Sequence, residues 1–257
     1  MSSRRTFIEA TLIGGAICAL ASVNVNAQAR RNQTRRRVLV FDVNETMLDV
    51  GALAPQFARV FGRADVLQEW FSNVLLYSNV VTVAGPYADF GAVGGAALDM
   101  VAAGHGITLS ADDRQQILGG VRTLPAHADV RPALERLRDA GFRLVTLTNS
   151  APAAVDAQLK SAGLTDLFER SFSVDAVKRF KPAPEPYQHV ARELGIGTTQ
   201  LRMIAAHAWD VLGALRAGCA AAFIARPGKA MFPLGPQPDI IASSMTMAAD
   251  RIIELDA

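Results

Sequence analysis

From Val130 onward the chain alternates short apolar, β-branched runs with helical stretches that end at glycine, and this rhythm restricts the fold more than any other feature. Pro132–Ala140 predicts a helix closed by Gly141, and Phe142–Thr148 a strand. Ala153–Ala162 predicts a helix closed by Gly163, followed by a short strand at Ser171–Val174. The pattern continues with a helix over Pro186–Leu194, a strand over Leu201–Ala206, a helix over Val211–Ala217 and a strand over Ala220–Ala225. Asp239-Ile240-Ile241 is a candidate edge strand. Glycine after the last helical residue adopts the left-handed conformation that stops a helix at little cost. Strands separated by helices of this length pair in parallel through right-handed crossovers. Val38-Leu39-Val40 reads as one more buried strand of the same sheet. The expected fold is therefore α/β, with a Rossmann-like parallel sheet.

Between Thr46 and His127 the texture differs. Ala52–Phe61, Val66–Val83, Tyr87–Ala103 and Ala111–Gly120 carry apolar residues at helical spacing, with breaks at Gly85-Pro86 and Gly104-His105-Gly106. The reading is an α-helical cap, residues 49–127, inserted after the first strand of a core formed by 38–48 and 128–257. Hydrophobic residues make up 50% of the chain and charged residues 19%, so both parts can bury a core.

Ahead of the first strand, Ser3-Arg4-Arg5-Thr6-Phe7-Ile8-Glu9 resembles a bacterial twin-arginine signal. An apolar run, Ala10 to Val23, and the small-x-small site Ala27-Gln28-Ala29 follow it. The run is short for a membrane span. The expectation is a signal over residues 1–29, mature protein beginning at Arg30 in the periplasm, and no retained membrane anchor. The mature chain would keep Cys219 as its single cysteine and form no internal disulfide. Arg30, Arg31, Arg35, Arg36 and Arg37 form a basic arm over residues 30–37. No aromatic-interleaved basic face accompanies it, so a solvated linker is expected rather than a nucleic-acid contact. Homodimerisation stays open.

The chemistry gathers at strand ends. Asp42 follows the first strand, where open α/β sheets bind ligands, although alone it could equally cap a turn. Thr46, Thr148, Asn149, Lys181, His207 and Asp210 fall at corresponding ends of the later strands. Asp after the first strand, Thr after the second, Lys before the third helix and Asp after the fourth strand resemble the haloacid dehalogenase superfamily. The stretches Phe41-Asp42-Val43-Asn44-Glu45-Thr46, Ser173-Val174-Asp175, Lys181-Pro182 with Tyr187, and Ala208-Trp209-Asp210 look most like its type II 2-haloacid dehalogenases.

That resemblance implies hydrolytic dehalogenation of short 2-haloacids without a cofactor or metal. Asp42 would displace halide from C2 with inversion and form an ester that water then hydrolyses. Lys181 would hold Asp42, and Asp210 would organise Lys181 or the water. Thr46, Thr148 and Asn149 would bond substrate or developing charge, with Tyr187 supporting them. The alternative is a phosphatase, or another hydrolase of the superfamily acting on a small organic acid. Phosphatases of this kind have an acid two residues after the nucleophile, where this chain has Asn44, and further carboxylates for magnesium near Asp210. A departing halide needs no proton. A non-catalytic binding protein is disfavoured while Asp42 and Lys181 are both present.

Two departures concern the halide. The type II enzymes place an Arg after an early cap Trp, but Phe71 follows Trp70 here, and His207 stands where they have Asn. A protonated His207 donating to the halide would replace part of the missing charge. Activity would then fall as pH rises from about 6 to 8.

Overall fold

A computed structural model describes residues 36–256. The expected export signal over residues 1–29 and the first part of the basic arm lie outside the described residues. Strand β1 (Val38–Phe41) is followed by four cap helices: α1 (Ala54–Phe61), α2 (Val66–Ala84), α3 (Phe90–Gly104) and α4 (Ala111–Gly120). The chain returns through α5 (Val130–Asp139) to β2 (Leu144–Thr148), α6 (Pro152–Ser161) and β3 (Arg170–Ser173). It ends with α7 (Pro184–Glu193), β4 (Leu201–Ala205), α8 (Ala208–Arg216), β5 (Ala220–Ile224), β6 (Ile240–Ala242) and α9 (Met245–Asp256).

The six strands form one sheet in the order β3-β2-β1-β4-β5-β6, and every pairing is parallel. Side chains alternate between its faces, as a strand requires. Leu39 and Phe41 enter the core that includes Leu134, Leu137, Val155 and Leu159 of α5 and α6. Val38 and Val40 point the other way, toward Val190, Ala191, Val211 and Ala214 of α7 and α8. The order of connection reverses between β1 and β4, and such a reversal leaves a crevice at the carboxyl ends of the strands.

The parallel α/β architecture is the one expected. Helices α6, α7 and α8 begin one to three residues earlier than their apolar spacing suggests. Their first turns hold Pro152, Pro184 or the small residue Ala208, which suit an opening turn without contributing to the periodic stripe. Helix α9 is an addition. Its Met245, Ala248, Ala249 and Ile252 are buried at helical spacing, and Asp256 fixes its end to Arg202 of β4 at 2.6 Å.

In the cap, Asp89 and Ser110 cap α3 and α4 by accepting hydrogen bonds from the backbone N–H groups of Ala92 and Asp113. Trp70 of α2 donates its indole N–H to the Gly94 carbonyl at 2.9 Å, which joins α2 to α3. Among the described residues, no helix is long and apolar enough to cross a membrane.

Candidate active site

Strand β1 is still within the ladder at its end: the Asp42 N–H donates to the Ile204 carbonyl at 3.0 Å. The Asp42 side chain therefore emerges at the crevice beside the end of β4. Its Oδ1 accepts a hydrogen bond from Lys181 Nζ at 2.9 Å. Its Oδ2 accepts from the Thr46 hydroxyl at 2.6 Å and lies 3.1 Å from His207 Nδ1. Thr46 is held in turn, because its Oγ1 accepts from the Ala206 N–H at 2.8 Å.

Lys181 uses its remaining donors on the Asp210 Oδ2 at 2.6 Å and the Leu147 carbonyl at 2.9 Å. Its loop is fixed from two sides. The Lys181 N–H donates to Asn149 Oδ1 at 3.1 Å, and the Phe180 N–H donates to Thr82 Oγ1 of α2 at 3.1 Å. Asp210, in the first turn of α8, receives the Tyr187 hydroxyl on Oδ1 at 2.6 Å. Gly213 is needed one turn further on. A Cβ there would lie 2.6 Å from Pro182 Cβ and 2.8 Å from the Tyr187 oxygen.

On the other side of Asp42, His207 Nε2 lies 2.8 Å from Glu45 Oε2, and Glu45 Oε1 accepts from Lys229 Nζ at 2.8 Å. The Trp209 ring stacks on the imidazole with centroids 4.9 Å apart. Glu45 occupies the left-handed region at φ 59°, uncommon for a residue with a side chain. Asp210, Lys181, Asp42, His207, Glu45 and Lys229 thus form one row of alternating charge across the crevice.

The row sets the protonation of its members. Burial alone would raise the Asp42 carboxyl, but the Lys181 and His207 cations and their hydrogen bonds outweigh it and hold Asp42 well below the carboxylate range. Burial disfavours the His207 imidazolium, yet its bonds to Asp42 and Glu45 and their charges raise its pKa to about 9. Lys181 is likewise buried and is raised by Asp210 and Asp42. Asp210 is raised, by its complete burial and by the like charge of Asp42. At neutral pH the centre is an ionised Asp42 between two cations. An ionised, oriented carboxylate at the mouth of a sheet is equipped to attack an electrophilic carbon.

A cavity of about 280 Å³ lies between cap and core, lined by Trp70, Phe71, Phe90, Arg122, Ser150 and Ala151 among others. Asn44 connects it to the loop after Asp42 by donating to Ser150 Oγ at 3.3 Å. The Asn44 carbonyl oxygen accepts from Gln158 at 2.8 Å, so its amide is committed to bracing the loop. Among the described residues, no group of three or more His, Cys, Asp or Glu side chains is arranged to hold a metal ion.

A family profile described as haloacid dehalogenase-like hydrolase matches residues 36–218. The chain belongs to this family. It is 31% identical over 180 residues to (S)-2-haloacid dehalogenase 1 of Pseudomonas sp. strain CBS-3, covering 69% of this chain and 79% of that one. It is also 31% identical over 192 residues to the (S)-2-haloacid dehalogenase of Xanthobacter autotrophicus, covering 74% and 75% of the two chains. The solved L-2-haloacid dehalogenase of that organism, with chloropropionic acid covalently bound, superposes with a TM-score of 0.80 at 26% identity. The superposition covers 86% of this chain and all of that one.

Of the residues singled out in the sequence, Asp42, Thr46, Lys181, Asp210, Tyr187 and His207 converge on the row. Asn149 meets it through the Lys181 backbone. Thr148 faces its own loop, accepting from the Ser150 N–H at 3.1 Å, and Phe71 lines the cavity wall. The expected role of His207 as a halide donor that titrates between pH 6 and 8 is corrected. Both of its ring nitrogens are taken by carboxylates, and those carboxylates keep it protonated through that range. Glu45 and Lys229 were not singled out by sequence reasoning.

Proposed function

We infer that this chain hydrolyses short 2-haloacids to 2-hydroxy acids through an ester on Asp42. The observation that carries the reading is the Asp42 carboxylate, buried and ionised between Lys181 and His207 at the crevice of a family whose similar members are named 2-haloacid dehalogenases. Asp42 attacks C2 in line with the carbon–halogen bond, and the halide leaves without needing a proton. Lys181, fixed by Asp210 and Leu147, holds Asp42 Oδ1 and stabilises the oxyanion that forms there when water attacks the ester carbon. Asp210 is saturated by Lys181 and Tyr187, which supports a role in orienting Lys181. The names of the relatives favour the S enantiomer as substrate. The Ser3-Arg4-Arg5 and Ala27-Gln28-Ala29 motifs support export to the periplasm with mature protein starting at Arg30, which N-terminal sequencing of periplasmic protein tests.

The test pairs halide release from chloro-, bromo- and fluoro-acids with a magnesium-supplemented phosphatase panel. Halide release that Asp42→Asn abolishes, in a variant with unchanged circular dichroism, is the expected result. A single turnover in heavy-oxygen water should label Asp42 before the product. Metal-dependent phosphate release without halide release, or label entering the product in the first turnover, overturns the reading.

A further inference from the structure

Two half-reactions pass through Asp42, and the groups beside it are not equally free to serve the second. Hydrolysis of the ester needs a base for water and then a proton for the departing alkoxide of the 2-hydroxy acid. Asp210 is poorly placed to be that base. It is fully buried, one oxygen is held by Lys181 and the other by Tyr187. His207 touches the other oxygen of Asp42, on the side away from Lys181, and its far nitrogen is held by Glu45.

Resting on the haloacid reading above, we propose that His207 is the acid–base catalyst of ester hydrolysis and that Glu45 is the residue that positions it. Attack by Asp42 Oδ2 on C2 removes the carboxylate charge from one side of His207. The imidazolium, now held by Glu45 alone, gives its proton to solvent water, and this is the proton the overall reaction liberates. Neutral Nδ1 then takes a proton from water as the water oxygen bonds to Asp42 Cγ. The carbonyl electron pair moves onto Oδ1, opposite the Lys181 ammonium. On collapse the Cγ–Oδ2 bond breaks, and Nδ1–H passes its proton to the departing oxygen, which becomes the 2-hydroxyl. The carboxyl left on Asp42 returns its proton to Nδ1, restoring the carboxylate–imidazolium pair.

The charged groups that face His207 all bear on this titration. Asp42 and Glu45 contact it directly, Lys181 acts across Asp42 and Lys229 across Glu45, while Trp209 of α8 covers one face of the ring without charge. The step that forms the ester should therefore be flat between pH 6 and 8. The step that hydrolyses it should quicken as pH rises, because only neutral His207 can accept the proton.

Rapid-quench kinetics with 2-chloropropionate separate the steps. In His207→Ala, which leaves neither the imidazole nor the Asn that the type II enzymes carry there, a stoichiometric burst of halide is expected with hydroxy-acid formation slowed about 10²-fold or more. Intact-protein mass spectrometry should then find the ester on Asp42. In Glu45→Gln the imidazole remains but loses a neighbouring anion, so the acid limb of the hydrolysis profile should move to lower pH by roughly one unit. Hydroxy acid released from His207→Ala as fast as halide, with no ester accumulating, overturns the proposal. So does a Glu45→Gln profile that does not move, which also covers a His207 variant that fails to fold. Absence of halide release from the unaltered enzyme overturns the haloacid reading instead.

Discussion

Replacement of Lys181 by Met removes the one cation that separates Asp42 from Asp210. The ammonium is 1% exposed, and its donors are spent on Asp42 at 2.9 Å, Asp210 at 2.6 Å and the Leu147 carbonyl at 2.9 Å. Asp42 would keep Thr46 and His207, whereas Asp210 would keep the Tyr187 hydroxyl as its side-chain donor. Removing one partner of a buried ion pair costs about 3–5 kcal/mol, because the other charge is left uncompensated. The loss should fall mainly on Asp210, whose carboxyl would rise further and take up a proton. A carboxyl raised in the folded state destabilises increasingly as pH climbs from its unfolded pKa through its folded one. The deficit should therefore be large at pH 8 and smaller at pH 5. Urea unfolding followed by the fluorescence of Trp70 and Trp209 measures it. Lys181→Met/Asp210→Asn removes the orphaned charge and should recover roughly 2 kcal/mol or more of the loss at pH 8. A double variant no more stable than Lys181→Met, or a single variant within about 1 kcal/mol of the parent, refutes the assignment of Lys181 as the cation holding both carboxylates.

Gly213→Ala should lower activity and destabilise by about 1–3 kcal/mol, because the new methyl displaces Pro182 and the Tyr187 hydroxyl; thermal unfolding with a halide assay checks both. His207, raised from 6.5 to about 9, adds about 3 kcal/mol that is fully present below pH 6.5 and is lost as pH rises through 9. Unfolding measured from pH 6 to 10 should show that loss in the parent and not in His207→Asn. Phe71→Arg brings a guanidinium to the cavity wall and should raise halide release from 2-chloro acids about tenfold or more; an unchanged or lower rate refutes a halide site there.

Asp42, Lys181 and Asp210 were legible because a parallel α/β sheet brings its strand ends to one rim, so residues far apart in sequence can be placed by counting strands. The helical cap was legible from its apolar spacing. Helix α9 carried the same kind of signal in Met245, Ala248, Ala249 and Ile252 and could have been found. Glu45 could not. Its role requires a left-handed backbone at φ 59° and a partner 162 residues away, and neither leaves a periodic trace. Lys229 reaches Glu45 from the loop after β5, across 184 residues. His207 was read as a halide donor titrating near neutral pH, because its pKa depends on two carboxylates whose distances only the fold defines.

Burial of charge does not by itself identify a site in this protein. Arg202 is completely buried and is paired with Asp256 at 2.6 Å and with Asp239 at 2.9 Å, and its pKa is raised well above the guanidinium value. It lies near the start of β4, at the end of the sheet opposite the crevice, where it ties α9 to the strand. The row around Asp42 has the same ingredients but stands at the carboxyl ends, at the point where the strand order reverses. The two networks also differ in what their charges can do. Arginine keeps its proton at any pH the fold survives, so the Arg202 network has one protonation state. The Asp42 row contains an imidazole whose pKa is raised by Asp42 and Glu45, and the proposed ester would remove the first of those charges. Under the proposed mechanism the Asp42 row differs from the Arg202 network in that one of its members changes protonation state when its neighbour is esterified.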